Sequence, residues 1–160
     1  MSTLKDSMPT LHVTLLGAYA VTIDNQPITR FATDRERGLL AYLAVFPNCP
    51  HRRDALAGLF WPNRDNETAR RSLRQSLSRL RTAFDEQTPK LSDRLFTVTP
   101  QSIQLNLADG AATVDILAFQ SLLASCHSHT HARLENCLVC AERLRQAAAH
   151  FRGEFLPGLH

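Results

Sequence analysis

A chain of 160 residues, 44% hydrophobic and 21% charged, is long enough for one domain with an appendage and too apolar for a disordered tail. No apolar run approaches the ~18–20 residues that span a bilayer, and MSTLKDSMPT lacks the basic-then-apolar start of a secretory leader. The four cysteines are therefore expected to be reduced thiols in the cytoplasm.

Net charge is only +3, but eight arginines (52, 53, 64, 70, 71, 74, 79, 81) stand between His51 and Arg81 against Asp54, Asp65 and Glu67. That concentration points to a polyanionic partner, with a solvated helix face as the ordinary alternative.

In chain order, LHVTLLGAYAVTI (11–23) alternates imperfectly around Gly17 and reads as two short strands, with a turn at Asp24-Asn25. Thr33 and Glu36 form a capping box for a first helix, whose Leu39, Leu40, Leu43 and Phe46 recur at helical spacing before Pro47. A short second helix follows, with Leu56, Leu59 and Phe60 on one face and Trp61-Pro62 at its end. A third runs from about Glu67 to Phe84, and Ala69, Leu73, Leu77, Leu80 and Phe84 make a single buried stripe.

LFTVTPQSIQLNL is the strongest hairpin signal, with Phe96 and Val98 before the turn and Ile103, Leu105 and Leu107 after it. Ala108-Asp109-Gly110 reads as a boundary between a unit at 10–108 and a helical unit at 112–160. The latter holds two helical patterns, TVDILAFQSLLASC and LENCLVCAERLRQAAAHF, around a His-rich turn. The expected fold is α+β: strands, three helices and a hairpin, the order of a winged helix-turn-helix, followed by an all-α helical hairpin.

With the leucine stripe inward, the third helix presents Arg71, Arg74, Gln75, Ser78 and Thr82 outward, with Arg70 and Arg81 on the flanks. Arginine grips guanine bidentately, glutamine pairs with adenine, and arginine also neutralises phosphates. Small serines at 72, 76 and 78 would let such a helix sit deep in a groove.

The stretch RGLLAYLAVFPNCPHRRDALAGLFWPNRDNETARRSLRQSLSRLR resembles the DNA-binding domain of bacterial transcriptional activators of the antibiotic-regulatory-protein (SARP) type, an OmpR-like winged helix. The matching positions are Arg53-Asp54, Leu56, Leu59, Trp61-Pro62, Ala69-Arg70, Leu73-Arg74, Leu77 and Arg79-Leu80-Arg81. VDILAFQSLL and HFRGEFLPGL are similar to the start of the tetratricopeptide-like transcriptional activation domain that follows in that family. The resemblance implies duplex DNA as partner, contact with RNA polymerase, and dimeric or tandem binding on direct repeats. It implies base and phosphate contacts from Arg70, Arg71, Arg74, Gln75 and Ser78, with Arg79 and Arg81 nearer the backbone or paired to a neighbouring acid. The wing tip, Thr99 to Ser102, departs from the usual basic wing in having no lysine or arginine.

The competing chemistry is CHSHTHARLENCLVC, with Cys126, His127, His129, His131, Cys137 and Cys140. Cys137 and Cys140 also fit an apolar helical stripe with Leu134, Leu138, Ala141 and Leu144, so no metal and no cofactor are expected. Asp115, Glu135, Glu142 and Glu154 read as isolated and solvated. Without a nucleophile elbow, glycine-rich phosphate loop or H-E-x-x-H, the chain is not expected to be an enzyme. The alternative to DNA binding is a protein–protein interaction module of a larger signalling regulator.

Overall fold

Alternating apolar residues and a turn built from two short polar side chains open the first sheet. In the computed structural model, which describes residues 8–107 and 110–158, β1 (Leu11–Thr14) pairs antiparallel with β2 (Ala20–Ile23). Leu11, Val13, Val21 and Ile23 are buried. Asp24 (φ 48°) and Asn25 (φ 67°) turn the chain into β3 (Gln26–Pro27); a tight two-residue hairpin needs both centres at positive φ, which Asp and Asn tolerate.

In α1 (Asp34–Val45), the Thr33 hydroxyl accepts the Glu36 amide at 3.3 Å, as expected of its N-cap. The Glu36 carboxylate, however, accepts the Ala32 amide at 2.7 Å instead of the cap residue's own. Leu39, Leu40 and Leu43 are buried, whereas Phe46 lies past the helix and is exposed. A two-residue strand that the sequence reading missed, β4 (His51–Arg52), precedes α2 (Arg53–Phe60). On α2 the buried face is Leu56 and Ala57; Leu59 points outward at 56% exposure, and Trp61 closes the helix in the core.

The long α3 (Asn66–Gln87) begins where the Asp65 carboxylate accepts the Thr68 amide at 2.9 Å. Its stripe is buried throughout, and Phe84 stacks on Phe96 with ring centroids 5.9 Å apart. A short α4 (Leu91–Leu95) leads into the hairpin of β5 (Phe96–Val98) and β6 (Ser102–Leu105), paired Phe96↔Leu105 and Val98↔Ile103. β4 pairs with the other edge of β6, giving the order β4-β6-β5.

The expected boundary falls on Ala108 and Asp109, which lie outside the described residues, and on Gly110. Beyond it, residues read as the start of a helix form β7 (Ala112–Val114), which runs parallel to β1 and completes the order β3-β2-β1-β7. The helix itself, α5 (Asp115–Ser128), starts at Asp115. That carboxylate is half-buried, contrary to the solvated role expected of it. It accepts the Leu15 and Leu16 amides, each at 2.9 Å, and the Ile116 amide at 2.7 Å. Gly17 (φ 95°) lets the following tail approach: a Cβ there would meet the Arg152 backbone at 3.1 Å, and the Gly17 amide donates to the Glu154 carbonyl.

The second C-terminal pattern is broken at Cys137, into a 3-10 helix (Leu134–Asn136) and α6 (Leu138–His150). The apolar stripe read there is not a core stripe: Leu134, Leu138 and Leu144 are exposed, Leu138 at 87%. Cys140 alone of the residues assigned to it is buried outright.

Partly or fully buried carboxylates join elements at two places. Asp115 ties α5 to the strand end, and Arg79 of α3 reaches the Glu36 carboxylate of α1 at 3.2 Å. Glu36 is only 1% exposed. Replacing Asp115 by Ala removes a charged acceptor from three amides and is expected to lower unfolding free energy by about 1–3 kcal/mol. Arg79→Ala, which strands a buried carboxylate, is expected to cost a similar ~1–3 kcal/mol, the guanidinium being half exposed. Urea denaturation checks both; loss below about 0.5 kcal/mol, the range of ordinary surface changes, would remove these roles.

Candidate nucleic-acid interface

With its stripe inward, α3 leaves Arg70, Arg71, Arg74, Gln75, Ser78, Arg79 and Thr82 exposed and Arg81 half-buried. Of the three serines expected on the outer face, only Ser78 is there. Ser76 is buried with the leucines, and the Ser72 hydroxyl donates to the Thr68 carbonyl while accepting from Arg64 at 2.8 Å.

The arginines divide by partner. Arg70 meets Asp54 of α2 at 2.7 Å, and Arg71 meets Glu67 one turn earlier at 3.4 Å; both pairs are open to solvent. Arg79 is held by buried Glu36, and Arg81 by Asp93 at 2.7 Å with Ser92 at 3.4 Å. These last two therefore bind α3 to α1 and α4. Arg52, Arg53, Arg64 and Arg74 meet no carboxylate within 4.0 Å among the described residues. Solvent-exposed pairs such as Arg70–Asp54 contribute about 0–1 kcal/mol, so exchanging one for a phosphate costs little.

Two clefts of about 300 and 350 Å3 lie between α3 and the β5–β6 hairpin, and Arg53 and Arg74 line both. In the first they are joined by Arg52, Asp54 and Arg70 on one side and by Pro100 and Gln101 of the hairpin turn on the other. In the second, Ser78, Arg81 and Thr82 of α3 face Val98 of β5, with Asp85 at one end. Gln75 lines neither. The Arg53 amide donates to the Gln101 carbonyl at 2.9 Å, which fixes the start of α2 to the turn. Its guanidinium Nε is buried and has no hydrogen-bond partner among the described residues. Such a donor is costly unless a ligand or water satisfies it.

The hairpin turn is uncharged and hydrogen-bonded within itself. The Thr99 hydroxyl accepts the Gln101 and Ser102 amides at 3.2 and 2.9 Å, and no cation stands at the tip. The charge comes from the neighbouring strand: Arg52 sits opposite Ser102 in the β4–β6 ladder. Arg52 and Arg53 are the members of this face that the sequence reading counted in the basic cluster but did not place in the site. Arg53 stands at a matching position of the family pattern but is given no contact there, and Arg52 lies in a strand of two residues, which has no periodicity to reveal it.

The N-terminal end of α3 is fixed by its cap. The Thr68 hydroxyl and amide bonds to Asp65 hold that carboxyl below its usual range, so it remains a charged acceptor at neutral pH.

No family model matches the chain, and no curated protein matches it. Among solved structures, that of Mycobacterium tuberculosis EmbR in complex with a low affinity phosphopeptide is similar, at 27% identity and a TM-score of 0.74. The match covers 94% of this chain and 38% of that one, so the present chain spans less than half the length of its neighbour. The likeness supports a mixed α+β fold over nearly the whole chain.

Proposed function

We propose that the chain binds duplex DNA sequence-specifically, as the DNA-binding part of a bacterial transcriptional regulator of the SARP kind. In this reading α3 enters the major groove and the β5–β6 hairpin lies along the backbone as the wing. Residues 10–108 form the winged helix, and 112–160 begin a helical activation domain through which the full regulator contacts RNA polymerase. The similarity to EmbR supports the regulator reading. The single observation that carries DNA binding is Arg74: exposed in the middle of α3, unpaired among the described residues, and shared with Arg53 between both clefts.

The residues then take separate roles. Arg74, Gln75 and Ser78 read base edges. Arg53, Arg52, Arg70 and Arg71 meet phosphates, with Arg70 and Arg71 leaving their exposed carboxylates to do so. Arg79 and Arg81 hold α3 in place and contact the backbone at most from its far end. Single winged helices make few phosphate contacts, so a second copy on a direct repeat raises affinity and site length together.

A protein-interaction reading draws on a different observation. Leu138, Val139, Phe151 and Phe155 expose apolar surface on the C-terminal segment, a surface suited to contacts within a longer chain or with a partner protein. That surface is compatible with DNA binding by α3 and becomes the main function only if the arginine face binds nothing.

Selection from a randomised duplex pool, followed by titration at several salt concentrations, separates the two. Wild type is expected to enrich a recurring motif. Arg74→Ala is expected to lose about 1–3 kcal/mol on that motif, ~5- to 150-fold, and to relax the preference at one base position. Arg53→Ala is expected to weaken all duplexes alike and to lower the salt slope by about one. Enrichment by neither protein, or an Arg74→Ala protein with unchanged motif and affinity, overturns the DNA reading.

A further inference from the structure

The His- and Cys-rich segment set aside as core and turn folds into something more definite. Cys126 lies in the last turn of α5, His129 caps that helix, Cys137 caps α6, and Cys140 lies in the first turn of α6. Both ends of the α5–α6 hairpin connection thus bring a pair of ligands, Cys126-x-x-His129 and Cys137-x-x-Cys140. The ligand atoms of His129, Cys137 and Cys140 all lie within 4.8 Å of one another, with His129 Nε2 3.9 Å from Cys137 Sγ. With Zn–S near 2.3 Å and Zn–N near 2.0–2.1 Å, the corners of a tetrahedral zinc site stand roughly 3.5–3.8 Å apart. Closing this group onto one ion needs shifts of less than about an ångström.

The geometry points to a structural zinc site formed by Cys126, His129, Cys137 and Cys140 that staples the α5–α6 hairpin. The fourth ligand is Cys126: its thiol is buried against Cys140 and donates to the Cys140 carbonyl at 3.8 Å. Three thiolates and one imidazole make a closed set of the kind that holds zinc without an open position for chemistry.

Arg143 completes the charge balance. Zinc with three thiolates and a neutral imidazole carries one net negative charge, and the Arg143 guanidinium lies 3.4 Å from His129 Nδ1 while donating to the Ser125 carbonyl at 3.1 Å. With Nε2 on the metal, His129 carries its proton on Nδ1, so Arg143 keeps the Ser125 carbonyl and gives up the imidazole. The three thiol protons pass to solvent on binding. The neighbouring His131, whose Nδ1 lies 4.0 Å from Cys140 Sγ, stays outside the set, as does His127, which faces the Leu123 carbonyl of its own helix.

Zinc also explains why α6 needs no core stripe at its start. Leu134 and Leu138 are exposed, so little apolar burial fixes the 3-10 helix and the first turn of α6. A metal that joins them to α5 supplies the constraint that burial does not.

The test uses the reduced 160-residue chain, stripped of metal by chelator and titrated with cobalt and then zinc. One equivalent of cobalt is expected to produce the intense visible bands of a tetrahedral ion and a thiolate-to-cobalt charge-transfer band. One equivalent of zinc then bleaches both and raises the melting temperature. Cys137→Ser and His129→Ala, each at a position open enough to leave the fold intact, are expected to weaken zinc by more than the roughly 10- to 100-fold that outer-shell changes cost. Cys126→Ser should weaken it likewise, while Cys49→Ser and His131→Ala should not. A weak octahedral cobalt spectrum, or wild-type affinity in Cys137→Ser, overturns the site; wild-type affinity in Cys126→Ser overturns the choice of fourth ligand.

Discussion

The burial of one stripe along a 22-residue helix governs the rest of this structure. Ala69, Leu73, Leu77, Leu80 and Phe84 bring α3 against the core over its whole length, each large side chain contributing on the order of 1.5–3 kcal/mol. Once that stripe is inside, the rotation of the helix is no longer adjustable, and the outward direction of every arginine on it follows. Phe84 on Phe96 sets the far end against the hairpin, and the Arg53–Gln101 bond sets the hairpin turn against α2. The basic face is a by-product of apolar packing, held as stiffly as the core behind it.

Within that face charge is partitioned by solvent access. Where a carboxylate is buried, as at Glu36, its arginine is committed to the fold, because withdrawing the cation leaves a desolvated anion. Where both partners are wet, as in Arg70–Asp54 and Arg71–Glu67, the pair holds side chains in place at almost no cost in availability. A third group, Arg52, Arg53, Arg64 and Arg74, has no internal acid among the described residues and lies open to an external anion. Pre-set side chains lose less freedom on binding, which favours affinity without extra contacts.

Much of this was legible in the sequence where a period or a cap carries the signal. The leucine steps of α3, the alternation in the β5–β6 hairpin and the Thr33 cap are local features, and the structure places them within a few residues of expectation. The larger misreadings of strands and of Asp115 share a cause: each depends on a partner distant in the chain. β4 and β7 are two and three residues long and become strands only through β6 and β1. Asp115 looks solvated until the amides of Leu15 and Leu16 are beside it. Cys137 and Cys140 fit a helical stripe by spacing, but the helix starts only after Cys137, and the two sulfurs gather with the His129 imidazole. The outward arginines of α3 were readable; Arg52 and Arg53, positioned by strand pairing, were not.

The parallel pairing of β1 with β7 joins residues about a hundred positions apart, and this affects how the chain is made. During synthesis the N-terminal hairpin emerges first and waits, with one edge of β1 unpaired, until Ala112–Val114 have left the ribosome. An unpaired edge flanked by apolar Leu11 and Val13 is a template for foreign strands. A fragment cut after residue 107, the natural choice for isolating the arginine face, keeps that edge permanently bare. It also loses the Asp115 carboxylate that caps the strand's end. The stretch from Ala112 to Asp115 therefore completes the sheet that β1 begins, and any shorter piece of the chain lacks it.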